Sequence, residues 1–229
     1  MPRRYAVKTV TARDAAILAW TGRNGLATVD QLLRQFWPGA KRSTGGDRLR
    51  QLVKAGLLTE HSCDARRAGE RVYCLTVKGR LRFPDKHREH LHTGLPATHE
   101  LKQQLLAGDT YLYLAEELTT MGGRILDWQS ERTLRSEFRL AQQAAERHAG
   151  PAPTWEIADA QVVTAEPDGT IQTTDVEIDG QYYGVMLRNK VQRFGEAGRP
   201  TLWVCDSPDR AARVATLATP YPTIRVIHV

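Results

Sequence analysis

Between residues 183 and 194 apolar side chains recur at Tyr183, Met186, Leu187 and Phe194, the spacing of one helix face, and Lys190 takes a place in the same stripe. An ammonium buried there needs a carboxylate or a phosphate, because an unpaired buried charge is costly. Carboxylates stand nearby in sequence. Residues 171–179 alternate as a strand does, with Val176 and Ile178 on one face and Asp175, Glu177 and Asp179 on the other. A second strand is predicted over 155–163, where Asp159 shares a face with Trp155, Ile157 and Val163. Ahead of it, residues 128–145 read as an amphipathic helix whose inner face holds Trp128, Leu134, Phe138, Ala141 and Ala145, with Glu131 inside that arc. Several acids and one lysine therefore point toward apolar layers. Mutual pairing or a divalent cation would make this tolerable; the plainer alternative is that Lys190 and Glu131 snorkel or form a structural ion pair.

The N-terminal pattern is different. A helix begins after Thr11 with Asp14 in its first turn and Ala15, Ile17 and Leu18 as anchors, and Gly22 and Gly25 end it. Thr28 and Gln31 form a capping box for a short helix through Phe36. A third helix runs from about Ser43 to Ala55, with Leu49, Leu52 and Val53 inward and Thr44, Asp47, Gln51 and Lys54 outward. Two strands follow, Leu58–His61 and Arg71–Leu75, joined by a basic tip at Arg66 and Arg67. Residues 84–98, with Pro84, Gly94, Pro96 and the histidines His87, His90 and His92, have the composition of a connector. The histidines lack the spacing of a metal-ligand set. From His99 onward helices and strands intermix: a helix through Leu118, the Glu131 helix, strands at Asp159 and Glu177, the Lys190 helix, a strand at 201–205, a short helix from Asp209 to Leu217 and a strand at 224–228. That order makes an α/β core.

Charge sharpens the division. The first 96 residues hold 19 Lys and Arg against 8 Asp and Glu, and the rest 13 against 18, so a net +6 separates into +11 and −5. A basic first domain beside an acidic second one is the footprint of a nucleic-acid reader joined to other chemistry. No apolar run approaches a membrane span, and no signal-peptide core follows Arg3 and Arg4, so neither a membrane nor secretion is expected. Cys63, Cys74 and Cys205, without paired spacing, fit a reducing cytoplasm and no structural zinc. No serine–histidine–acid arrangement, phosphate-binding glycine loop or dinucleotide fingerprint occurs.

The three helices and basic-tipped hairpin, with RLRQLVKAGLL over 48–58 and VYCLTVKGR over 72–80, resemble a winged helix-turn-helix. With Asp159 after Ile157 and Ala158, and Glu177 followed by Ile178 and Asp179, the second half resembles the PD-(D/E)XK nuclease superfamily. The whole chain from Thr11 onward looks like the replication-relaxation family of plasmid and mobile-element proteins, similar to the C-type mobilisation relaxases. This resemblance implies an α/β protein overall: a winged helix-turn-helix (α+β) over 1–83, a linker over 84–98 and a nuclease-like mixed α/β sandwich over 99–229. It implies Mg²⁺ or Mn²⁺ held by Glu131, Asp159 and Glu177, with Lys190 as the catalytic lysine on the helix after its usual strand. The usual lysine position is Asp179, the proline before the aspartate is Ala158, and the aromatic expected after a displaced lysine is Phe194. By analogy Arg42, Ser43, Thr44, Arg48, Arg50, Gln51, Lys54, Arg66, Arg67 and Arg71 would meet double-stranded DNA, arginines and lysines mostly on phosphates, Gln51 with Arg48 or Arg50 at base edges.

The expected function is thus a divalent-metal-dependent DNA nickase of relaxase type, acting in the cytoplasm with plasmid replication or mobilisation proteins, a homodimer being among the allowed assemblies. The alternative is a non-catalytic DNA-binding regulator that keeps a degenerate nuclease fold, and a less favoured third is a protein-docking adaptor. Tyr182 and Tyr183 are candidate covalent nucleophiles in principle.

Overall fold

The computed structural model describes residues 9–148, 156–180 and 182–229; Trp155, expected at the start of a strand, lies outside them. The protein is mixed α/β with two sheets. It divides into two compact units, Met1–Leu112 and Tyr113–Val229.

In the first unit, the capping box of Thr11 and Asp14 starts helix α1 (Ala12–Asn24), and Gly25, at φ 78°, ends it. Strand β1 (Ala27–Thr28) leads into α2 (Val29–Phe36), whose cap Thr28 is bonded to Gln31 as the sequence predicts. Helix α3 (Arg42–Lys54) follows, then the antiparallel hairpin of β2 (Leu58–Cys63) and β3 (Glu70–Leu75). β1 pairs with β3, giving the order β1-β3-β2. Ile17, Leu18, Leu32, Leu49, Leu52 and Tyr73 form the core beneath the three helices. Close approach of α2 to α3 requires Gly45, where a Cβ would overlap the Leu33 side chain. One ion pair ties α1 to α3: the buried Asp14 receives Arg48 Nε at 2.8 Å, a second Arg48 bond, and its own capping bonds from Thr11.

The connector expected over 84–98 is packed against this unit. After the short helices α4 (Val77–Arg80) and α5 (Asp85–Arg88), Leu91 enters the core, the His92 amide donates to the Gly22 carbonyl at 2.8 Å and the Gly94 amide to that of Leu75 at 3.1 Å. The division falls instead inside the long helix α6 (Thr98–Met121). Its first half buries Leu101 and Leu105 beside Leu26, Val72 and Cys74, and the Gln31 side chain donates to the Leu105 carbonyl at 2.8 Å. These apolar contacts outweigh the polar composition of the stretch before it.

The second unit adds β4 (Arg124–Ser130), α7 (Glu131–Arg147), β5 (Ala160–Ala165), β6 (Ile171–Ile178), α8 (Gly184–Ala197), β7 (Thr201–Cys205), α9 (Pro208–Ala218) and β8 (Ile224–His228). Its sheet runs β4-β5-β6-β7-β8, antiparallel across β4, β5 and β6, parallel across β6, β7 and β8. β6 is therefore central, and both of its faces are buried from Asp175 to Ile178. Register sets the two faces: Gln129, Gln161 and Asp175 align on one, which continues through Glu177, Trp203 and Val226, while Trp128, Val162 and Thr174 align on the other. Leu187, Val191 and Phe194 of α8, with Val214 of α9, bury against Trp203.

Two expectations are corrected. Trp128 belongs to a strand, because it pairs opposite Val162 and the helix begins three residues later at Glu131. Tyr183 and Met186 are exposed: α8 starts at Gly184, its first turn is exposed, and Leu187, Val191 and Phe194 are its buried residues.

Asp14→Ala should lower the unfolding free energy by about 2 kcal/mol at neutral pH, as a helix cap and the partner of a half-buried arginine are removed together. Burial pushes the Asp14 carboxyl up, but the bonds from Arg48 and Thr11 outweigh it and hold it below the ordinary aspartate value. Its stabilisation is thus present above the unfolded-state pKa and lost as pH falls through the lower folded one. Urea denaturation of the two proteins should show a gap at pH 7 that closes in acid.

Candidate active site

Alternation along β6 puts Glu177 inward on the face covered by α8 and α9, with no exposed surface. Ala160 pairs with Val176, so Asp159, one residue earlier on the antiparallel neighbour, lies beside Glu177. Its position is fixed twice by backbone: the Ile178 amide donates to its Oδ2 at 2.8 Å, and the Glu131 amide donates to its carbonyl at 2.7 Å. Lys190 sits between Leu187 and Val191 on the buried face of α8, and its ammonium donates to Glu177 Oε1. The expected gathering of Asp159, Glu177 and Lys190 is therefore present.

Charge in this cluster does not balance if both acids ionise. Burial, and then the neighbouring Asp159 carboxylate, push Glu177 well above the ordinary glutamate value, although Lys190 opposes them. Burial also raises Asp159, against the lowering effects of Lys190, Glu177 and the Ile178 amide. The two carboxyls lie within hydrogen-bonding reach of each other, and both are pushed upward by burial. Glu177 Oε2 is buried with no hydrogen-bond partner. One proton shared by the two acids leaves a single negative charge against Lys190, a neutral cluster. Asp159 and Glu177, with hard carboxylate oxygens, are the residues of this cluster that could hold a divalent cation.

Glu131 stands apart. It opens α7 as expected and is close enough to raise Asp159, but its carboxylate accepts from Arg135 Nε at 2.7 Å and is partly exposed. Among the described residues no three acid, histidine or cysteine side chains are grouped to hold a metal ion. Asp179, at the usual lysine position, is buried and paired with Arg210 from α9, which also donates to it through Nη2 at 3.0 Å. Phe194 packs edge-on against Trp203 with ring centroids 5.9 Å apart. The aromatic at Lys190 is Tyr182, whose ring centre lies 4.5 Å from the ammonium. Sequence reasoning missed Arg210 and this role of Tyr182. A buried acid at Asp179 signals that a cation must exist, but its partner lies 31 residues away.

In the first unit the ten expected DNA contacts separate into two groups. Arg48 is held by Asp14 and donates to Gln51 Oε1 at 2.7 Å, so these two residues bond each other and the core instead of standing outward. Arg66 turns to the buried Glu70 and to Asp109. Ser43, Thr44 and Lys54 are exposed on α3. Arg42 from α3 and Arg67 from the hairpin tip meet at Asp30, Arg50 pairs with Asp47 and Arg71 with Glu60, yet all four arginine side chains remain more than half exposed. Surface pairs of this kind are weak and can exchange carboxylate for phosphate.

No family model, no curated protein and no solved structure matches this chain.

A carboxyl whose folded pKa is raised contributes stability that is present below its unfolded pKa and lost as pH rises through the folded one, since the folded state then binds the extra proton. Unfolding free energy should therefore fall as pH climbs from the ordinary glutamate range, and Glu177→Gln should make that decline shallower. Urea titrations at successive pH values test this; parallel curves would show that Glu177 is ionised throughout.

Proposed function

We propose that the chain is a divalent-metal-dependent DNA nickase or endonuclease, the first unit a winged helix-turn-helix that binds double-stranded DNA and the second a PD-(D/E)XK nuclease-like domain, of the replication-relaxation kind. The observation that carries the nuclease reading is the cluster of Asp159 and Lys190 around Glu177 of the central strand, with a buried orphan oxygen on Glu177. For the first unit, support comes from the order helix, strand, helix, helix, hairpin with sheet order β1-β3-β2, and from the exposed cations on α3 and the hairpin tip.

Cleavage of a phosphodiester needs charge neutralisation at the phosphate and a nucleophile formed near neutral pH. Mg²⁺ or Mn²⁺ held by Asp159 and Glu177 would supply Lewis-acid polarisation and an acidified water. Lys190 presents a cation on the same site, able to orient a water or neutralise a phosphate oxygen. Asp159 is kept in place by the Ile178 amide, which donates to its Oδ2. The two carboxylates, the lysine and a divalent ion together carry one positive charge, complementary to one phosphodiester. Plasmid or mobile-element replication, a reducing cytoplasm and replication or mobilisation proteins as partners belong to the same proposal. Among the described residues no helix is long and apolar enough to cross a membrane.

The second reading is a non-catalytic DNA-binding regulator. It is favoured by Glu131, which bonds Arg135, and by Asp179, which bonds Arg210 where the superfamily would carry its lysine.

Purified protein should convert supercoiled plasmid to open circles with Mg²⁺ or Mn²⁺ but not with EDTA, and Glu177→Gln and Lys190→Met should each reduce the rate at least about a hundredfold, the range for loss of one charge-stabilising group. Nicking that survives in both variants rejects this site; absence of nicking beside retained DNA binding supports the regulator. Binding has its own test. Arg42→Ala with Arg67→Ala should weaken duplex affinity and reduce the slope of log affinity on log salt by up to about two, near one for each phosphate no longer neutralised. An unchanged slope places DNA elsewhere.

A further inference from the structure

We infer that Tyr182 is the positioning residue of Lys190: its ring is a fixed platform that holds the ammonium against Glu177 and Asp159. The catalytic meaning rests on the nuclease reading above, while the geometry stands on its own. Lys190 is a flexible side chain delivered from a helix, not from the strand that carries Glu177, so something must limit where its ammonium goes. The carboxylates bound it on one side. Tyr182 bounds it on another, with the ring centre 4.5 Å from Nζ, within the range of a cation–π contact.

The platform is itself anchored. Arg210 Nη2 donates to the Tyr182 carbonyl, and also to that of Gly180 at 3.5 Å. Arg210 is in turn fixed by two bonds to Asp179, whose amide donates to the Val204 carbonyl at 2.7 Å. Gly180 makes room for the ring, since a Cβ there would sit 3.0 Å from the Tyr182 side chain. Arg210 further stacks over Tyr183, 5.0 Å from its centre. Asp179, at the strand position where a lysine would normally stand, thus serves the lysine that stands on α8 instead: through Arg210 it locks the backbone that presents Tyr182. Phe194, the aromatic the sequence offers for this purpose, is committed to the core against Trp203. Tyr182 touches no reacting atom and acts only through Lys190.

The test uses the full chain with isotopically labelled lysine side chains. A methylene beside an ammonium on an aromatic face feels the ring current, so the Lys190 ε-CH₂ signal, identified by its loss in Lys190→Met, should lie upfield of the other lysine signals. Tyr182→Leu should return it to the ordinary position and slow Mn²⁺-dependent nicking about thirtyfold, the rate equivalent of one desolvated cation–π contact. Tyr182→Phe, which keeps the ring and drops the hydroxyl, should rescue both. A wild-type Lys190 signal among the other lysines overturns the inference without any variant needing to fold, as does Tyr182→Leu with wild-type shift and rate. Rescue by Tyr182→Phe of the shift but not of the rate also overturns it, by giving the hydroxyl a direct part. A protein that nicks nothing yet shows the upfield signal rejects the nuclease reading and upholds the placement of Lys190.

Discussion

Asp175 and Glu177 on one face of β6, and Asp179 just past its end, have buried carboxyl groups, and each is met by a cation from elsewhere in the chain. Asp175 meets Arg199 at 2.7 Å, Glu177 meets Lys190 and Asp179 meets Arg210. A strand that carries charge into a sheet interior is costly unless every charge is matched, and removing one member of such a pair leaves the other stranded. The cations come from α8, from the turn after it and from α9. Docking of this layer is therefore specified by charge register as well as by Leu187, Val191, Phe194 and Val214. Apolar burial supplies the driving force, and the three pairs select one alignment along the strand.

The middle pair differs from its neighbours, and chemistry follows from that difference. Asp175 has a guanidinium and the Gln161 amide, and Asp179 has two bonds from one guanidinium. Glu177 has a single ammonium and, on its other side, a second acid. Each outer acid faces a guanidinium, which holds its proton, although Asp175 Oδ2 and Arg210 Nη1 still lack a hydrogen bond. The centre differs in that two acids, Glu177 and Asp159, share one ammonium. In the nuclease proposal this centre takes an exchangeable cation, a proton or a metal ion. The outer pairs serve it: one through Arg210 and the Tyr182 backbone, the other through Arg199, which also donates to the Glu156 carbonyl at 2.9 Å, three residues before Asp159.

Much of this is legible in the sequence, and the limits have physical causes. Lys190 and Glu177 stand out because a charged residue interrupts an apolar period, and that signal is local. Both capping boxes, at Thr11 and Thr28, are local too, and both form. Trp128 fits a helix in sequence because a helix period and a strand period coincide over a few residues; only its partner Val162 distinguishes them. Tyr183 and Met186 follow the helical stripe yet are exposed, and a periodic pattern contains no information on where the opposing surface stops. Arg48 has the sequence position of a surface cation because its partner Asp14 is far away in the chain and looks like an ordinary cap. The 84–98 stretch has a connector's composition, while its packing depends on one leucine, Leu91, and two backbone bonds.

The most direct measurement is calorimetric titration of Mn²⁺ into the protein at neutral pH in buffers of different ionisation enthalpy. The carboxyl pair at Asp159 and Glu177 should bind one ion per chain and release about one proton as it does so, because the metal replaces the shared proton; Glu177→Gln should abolish both signals. Binding without proton release, or binding unchanged in Glu177→Gln, would contradict the assignment of this buried pair as the functional centre.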